Sequence, residues 1–169
     1  MDFSTEFVAF RDRLLASQDK AFITSLNARV AGRAVAALSS FGLDSERKLL
    51  GVVPLGGKSH AHEYRLLFAV PVLSEPLLQD WWQYTEAAEH ELVQPDENHE
   101  FSILSIIIAS ETIDPGVPKK LRRLAGGRDF TNVGRGWSTI RLAAVDLAGR
   151  RIYTNRMGSS LKNILNPVL

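Results

Sequence analysis

Hydrophobic positions along the chain change period several times, and each change marks an element. Phe3, Phe7, Phe10 and Leu14 recur at helical spacing with Val8 and Leu15 beside them, while Glu6, Arg11, Asp12 and Arg13 take the other face. This predicts an amphipathic helix over residues 3–17. The period then drops to two. Phe22, Thr24, Leu26, Ala28 and Val30 alternate with Ile23, Ser25, Asn27 and Arg29, as in a half-buried strand. Ala31-Gly32-Arg33 can turn the chain, and residues 34–41 can return as a second strand. An alanine-rich helix over 26–38 competes with that reading, so 31–41 stays open between helix and strand.

Residues 49–55 and 64–73 read as two strands joined by a Gly56-Gly57-Lys58-Ser59 loop, with Pro54 and Pro71 near strand ends. Ser74 is placed to cap a second helix and Pro76 is tolerated in its first turn. Leu77, Trp81, Ala88 and Leu92 form its buried stripe, widened by Leu78 and Trp82, and Gln94-Pro95 ends it. The isoleucine-rich run 101–109 predicts a strand covered on both faces. Pro115, Gly116 and Pro118 mark a loop before a short basic helix over 118–125, closed by Gly126-Gly127. Residues 137–145 and 151–155 read as a hairpin, and a short C-terminal helix follows Ser159 or Ser160 and ends near Asn166-Pro167. The order implies a single-domain α+β fold, with a mixed, mostly antiparallel sheet and about four helices.

Composition adds little until charge is mapped by position. At 169 residues, with 45% apolar and 23% charged residues, the chain is long enough for one globular core. The absence of cysteine excludes disulfides, thiolate metal sites and a cysteine nucleophile. The first residues lack the basic-then-apolar pattern of a secretory leader, and no apolar run reaches membrane length, so a soluble cytoplasmic protein with no membrane partner is expected. Net charge is only +1, yet residues 1–118 carry 9 Lys+Arg against 17 Asp+Glu, and residues 119–169 carry 11 against 2. Residues 75–100 hold eight acids and no Lys or Arg. Residues 119–141 hold seven bases and one acid, Asp129. Such clustering steers association and sets its salt dependence.

Motif by motif, chemistry is sparse. Gly57-Lys58-Ser59 misses the phosphate-loop spacing, because the required earlier glycine position is Val52, and Gly51 sits one place too early. His60, His62 and Glu63 form the densest ligand cluster, and Glu86 and His90 lie one helical turn apart. Together His60, His62, Glu86 and His90 make a candidate set for zinc, iron or manganese. No serine nucleophile motif is present, and nothing selects a carboxylate pair for glycoside hydrolysis. Glu89 and Glu91 fall near the C-terminal end of their helix, where the macrodipole disfavours negative charge unless a cation lies nearby. That cation is a metal, the chain's own basic block or a second subunit.

The basic block is the stronger candidate. Lys119, Lys120, Arg122 and Arg123 sit on the short helix, and Arg128 and Arg135 lie in a glycine-rich loop beside Phe130 and Trp137, which suit base stacking. Arg156, Gly158 and Ser159 suit one further anion. The reading favours a non-catalytic interaction or assembly module without a cofactor. Its surface over about 119–141 contacts an acidic protein partner or a second copy of the chain. Nucleic acid or another polyanion on the same arginines is the alternative, and a metal-dependent enzyme the third reading.

Overall fold

A computed structural model of the chain describes residues 2–49, 53–132 and 134–169; for 45–49 and 53–57 it describes the backbone. Helix α1 (Phe3–Ser17) buries Phe7, Phe10 and Leu14, one stripe at the predicted spacing. Strands β1 (Ile23–Val30) and β2 (Arg33–Leu49) then pair antiparallel. Ala31 and Gly32, with φ of 45° and 80°, make the two-residue turn between them, the left-handed pair that matches the twist of a hairpin. The open choice over 31–41 therefore resolves as strand, and the helix over 26–38 is not formed.

Strand β3 (Val53–Ala69) pairs antiparallel with β2 along most of its length, from Leu49↔Val53 to Ala37↔Leu67. The expected Gly56-Gly57-Lys58-Ser59 loop is thus part of a strand. Its reading as a loop rested on glycine content, but cross-strand hydrogen bonding to residues 45–49 outweighs that local preference. Gly51 and Val52, which entered the phosphate-loop comparison, lie outside the described residues. Two short strands, β4 (Val72–Leu73) and β6 (Thr112–Ile113), pair parallel. Between them run α2 (Glu75–Leu92) and β5 (His99–Ser110). The Ser74 hydroxyl accepts from the Leu77 amide at 3.3 Å, as the cap position predicts.

Helix α3 (Val117–Leu121) leads through a loop to β7 (Trp137–Asp146) and β8 (Arg151–Thr154). The chain closes in short turns around α4 (Lys162–Leu165). The main sheet has the order β1-β2-β3-β5-β7-β8. Its outer pairs are antiparallel, while β3, β5 and β7 run parallel, so the sheet is mixed and its centre is the parallel part. β5 occupies that centre, and Ile106, Ile107 and Ile108 are fully buried there, as a strand covered on both faces requires.

Two layers cover the sheet. α2 and α3 close one face over Leu66, Leu104, Ile140 and Leu142. α1 and the C-terminal turns close the other over Leu67, Ile107, Ala143 and Val145. α2 is tied to the β1–β2 hairpin by Tyr84, whose hydroxyl donates to the Val30 carbonyl at 3.0 Å, and by Arg33, which pairs with Asp80 and lies over the Trp81 ring. Burial there pushes the Tyr84 hydroxyl up to about 12. Among the described residues no helix is long and apolar enough to cross a membrane.

Candidate functional site

The fold divides the basic block in two. One part turns inward to the acids of α2. Arg128 donates through Nε to Glu89 Oε2 at 2.7 Å, and Glu89 is only 2% exposed. The other carboxylate oxygen accepts from the Ser138 hydroxyl at 2.5 Å, and Ser138 Oγ in turn accepts from the Arg128 amide at 2.9 Å. The guanidinium also lies over Phe130, 4.8 Å from the ring centre. The cation required near the end of α2 is therefore the chain's own Arg128. Glu91 is answered separately, by the Ala31 amide at 2.7 Å. Lys120 forms an ion pair with Glu75 at the start of α2.

The other part stays on the surface. Lys119 leaves the outer side of α3, whose inner side is anchored by the buried Val117 and Leu121, and Arg122 and Arg123 are exposed in the turn that follows it. They face Arg156 and Lys162 from the C-terminal turns across a groove of about 530 Å³ floored by Tyr153 and Thr154 of β8. A contiguous recess of about 350 Å³ adds Ser159. Five cationic side chains line the groove, and no carboxylate does.

Asn155 holds its two walls together. Its Oδ1 accepts from the Leu142 amide at 3.0 Å and the Gly158 amide at 2.9 Å. Its Nδ2 donates to the carbonyls of Leu124 at 3.2 Å and Ile140 at 3.1 Å. Every hydrogen-bonding position of this buried amide is thereby used, so the turn after α3, β7 and the Arg156 turn share one anchor. A Cβ at Gly158 would stand 2.6 Å from Asn155 Oδ1, which is why the turn is built on glycine.

The remaining predicted residues lie apart from the groove. Arg135 is exposed in its loop, where its carbonyl meets His99 Nδ1 at 2.7 Å. Phe130 is 1% exposed and belongs to the interior, so it offers no stacking surface. Trp137 packs on Phe101 on the α1 side of the sheet. Val133 of the same loop lies outside the described residues.

His60, His62, Glu86 and His90 do not converge. His60 and His62 are neighbours on β3, with ring centres 5.5 Å apart, whereas Glu86 and His90 are exposed on α2. Glu63 falls on the opposite face of β3 and pairs with Arg65 at 2.9 Å, as strand alternation dictates. His60 Nε2 lies 3.1 Å from Asp96 Oδ1. A third histidine, His99, has both ring nitrogens engaged, by the Arg135 carbonyl and by Ser102 Oγ. Desolvation, then the neighbouring His60 and His99, hold His62 below the ordinary histidine range, and burial raises Tyr64. Among the described residues, no group of three or more His, Asp or Glu is arranged to hold a metal ion.

A family model described as a domain of unknown function (DUF8052) matches residues 7–167, which takes in both walls of the groove and nearly the whole fold. The chain belongs to the DUF8052 family. No curated protein and no solved structure matches the chain.

Within the groove, Lys162, Tyr153 and Thr154 carried no separate signal in the sequence. Lys162 stands alone in an otherwise uncharged stretch, and Tyr153 and Thr154 read as ordinary hairpin positions. Arg156 and Ser159 were legible as possible anion ligands, but not their meeting with Arg122 and Arg123.

Proposed function

We propose that this DUF8052 domain is a non-catalytic interaction module that docks an acidic protein segment in the groove of Lys119, Arg122, Arg123, Arg156 and Lys162. One observation carries the reading: five cations surround one hollow and no carboxylate lines it. These side chains are exposed, so water screens their mutual repulsion at little cost to the fold, while the summed positive potential of the hollow attracts an acidic chain. The groove, about 530 Å³, has room for several side chains of an extended segment. Nucleic acid is the less favoured occupant, because Phe130 is buried and Trp137 lies on another face, which leaves Tyr153 as the groove's aromatic residue.

The test is fluorescence anisotropy with a labelled oligoglutamate and a labelled single-stranded oligonucleotide. Saturable oligoglutamate binding that weakens by about tenfold or more in R122E/R123E, at unchanged melting temperature, supports the reading. Equal affinity of wild type and variant overturns it. Markedly tighter oligonucleotide binding, lost in the same variant, replaces the protein partner with nucleic acid.

A further inference from the structure

We propose a second ligand site, on the α1 face of the sheet, for an organic anion with an apolar body. It is independent of the groove. α1 and the C-terminal turns cover the row Leu67, Ile107 and Ala143, which lie in register on β3, β5 and β7. Two residues back along each strand, on the same face, comes the row Arg65, Ser105 and Arg141. Then follow Glu63, Ile103 and Thr139, and finally Ala61, Phe101 and Trp137.

The row of Arg65, Ser105 and Arg141 contains two hydrogen-bonding groups without partners. Ser105 is fully buried, and its Oγ makes no hydrogen bond; the Arg141 Nε is buried and equally unpartnered. No ion pair joins Arg141 to a carboxylate among the described residues. Arg65, one strand further, is by contrast engaged with Glu63 and lies over the Phe22 ring at 4.2 Å. Buried polar groups are nearly always paired, so two adjacent orphans on neighbouring strands mark a place where an acceptor belongs. An arginine and a hydroxyl side by side match an oxygen of a carboxylate or a phosphate.

The same face supplies the apolar half. Trp137 is 45% exposed and stacks on Phe101 with ring centres 5.3 Å apart. It lies four residues from Arg141 along β7, about 13 Å at strand rise. Half-buried Ile103 lies between the two ends. An exposed tryptophan in line with a half-buried arginine whose Nε is unpartnered fits a ligand charged at one end and apolar along a chain of about that length.

Calorimetric titration with decanoate, decyl phosphate and decanol, each below its aggregation concentration, tests the site. Saturable binding of either anion is expected, about tenfold weaker for decanol and for R141M, and weaker for S105A and W137A. R122E/R123E is expected to bind as wild type does, which separates this site from the groove. The tighter of the two anions names the headgroup. Equal affinity in wild type, R141M and S105A overturns the proposal. So does the absence of binding by both anions, including absence caused by a dimer that buries Trp137. Should R141M fail to fold, S105A and R141K carry the same comparison.

Discussion

Two hollows of nearly equal size flank α3, and they differ in one respect. The hollow towards α2, about 510 Å³, is lined by Glu75, Asp114 and Lys120, so its one cation is paired and acids outnumber it. The hollow towards β8, about 530 Å³, gathers five cations and no acid. The same helix therefore presents one side where its cation is answered by acids and one side where cations meet only cations. The basic block as a whole says nothing about a partner, because Lys120 and Arg128 are spent on Glu75 and Glu89 within the chain. What remains after those pairings is the informative part.

The contrast breaks most sharply at Arg128. R128M leaves Glu89, 2% exposed, without its cation, and is expected to destabilise the domain by about 3 kcal/mol. Thermal melting should fall by roughly 6–12 °C, with partial recovery in R128M/E89Q. N155A comes next, at about 2 kcal/mol, because it strips partners from the buried Leu142 and Gly158 amides. It should also loosen the groove, and hydrogen exchange at Gly158 reads that directly. K120A removes an exposed pair and should cost well under about 1 kcal/mol by denaturant titration.

Acidity sharpens the same contrast. His62 is held below the ordinary histidine range, so the unfolded chain takes up this proton first as pH falls. Stability present above about pH 6.5 is therefore lost as pH drops towards the lowered native value, and H62Q should flatten that slope. Lysine and arginine keep their charge over this range, so binding in the groove should stay level while melting temperature declines. The smallest stability effect belongs to R122E/R123E, within about 0.5 kcal/mol, since these side chains are exposed in the turn after α3.

Much of the fold was legible because local pattern and tertiary need agree there. α1 repeats its aromatic stripe, Ser74 caps α2, and the isoleucines of β5 announce a strand covered twice. Where the two disagree, the sequence misleads. Gly56-Gly57-Lys58-Ser59 has loop composition but is held in β3 by pairing with β2, a constraint no local window contains. The parallel centre of the sheet was also hidden, since strand order follows from packing rather than from any one strand.

The site shows the same limit. A cation near Glu89 was demanded by the helix dipole, yet the choice of Arg128 depends on a contact 39 residues away in the chain. Lys119, Arg122 and Arg123 were visible as a basic run. Their meeting with Lys162 needs the whole circuit through β7 and β8.

The most direct test is the salt dependence of oligoglutamate affinity, measured for wild type and for a variant with Lys119, Arg122, Arg123, Arg156 and Lys162 all changed to glutamine. If the groove is the working surface, log affinity for wild type falls steeply with log salt, while the variant, melting at the same temperature, binds weakly with a nearly flat response. Equal slopes for the two proteins would show that binding, if any, lies elsewhere, and would contradict the assignment of the groove.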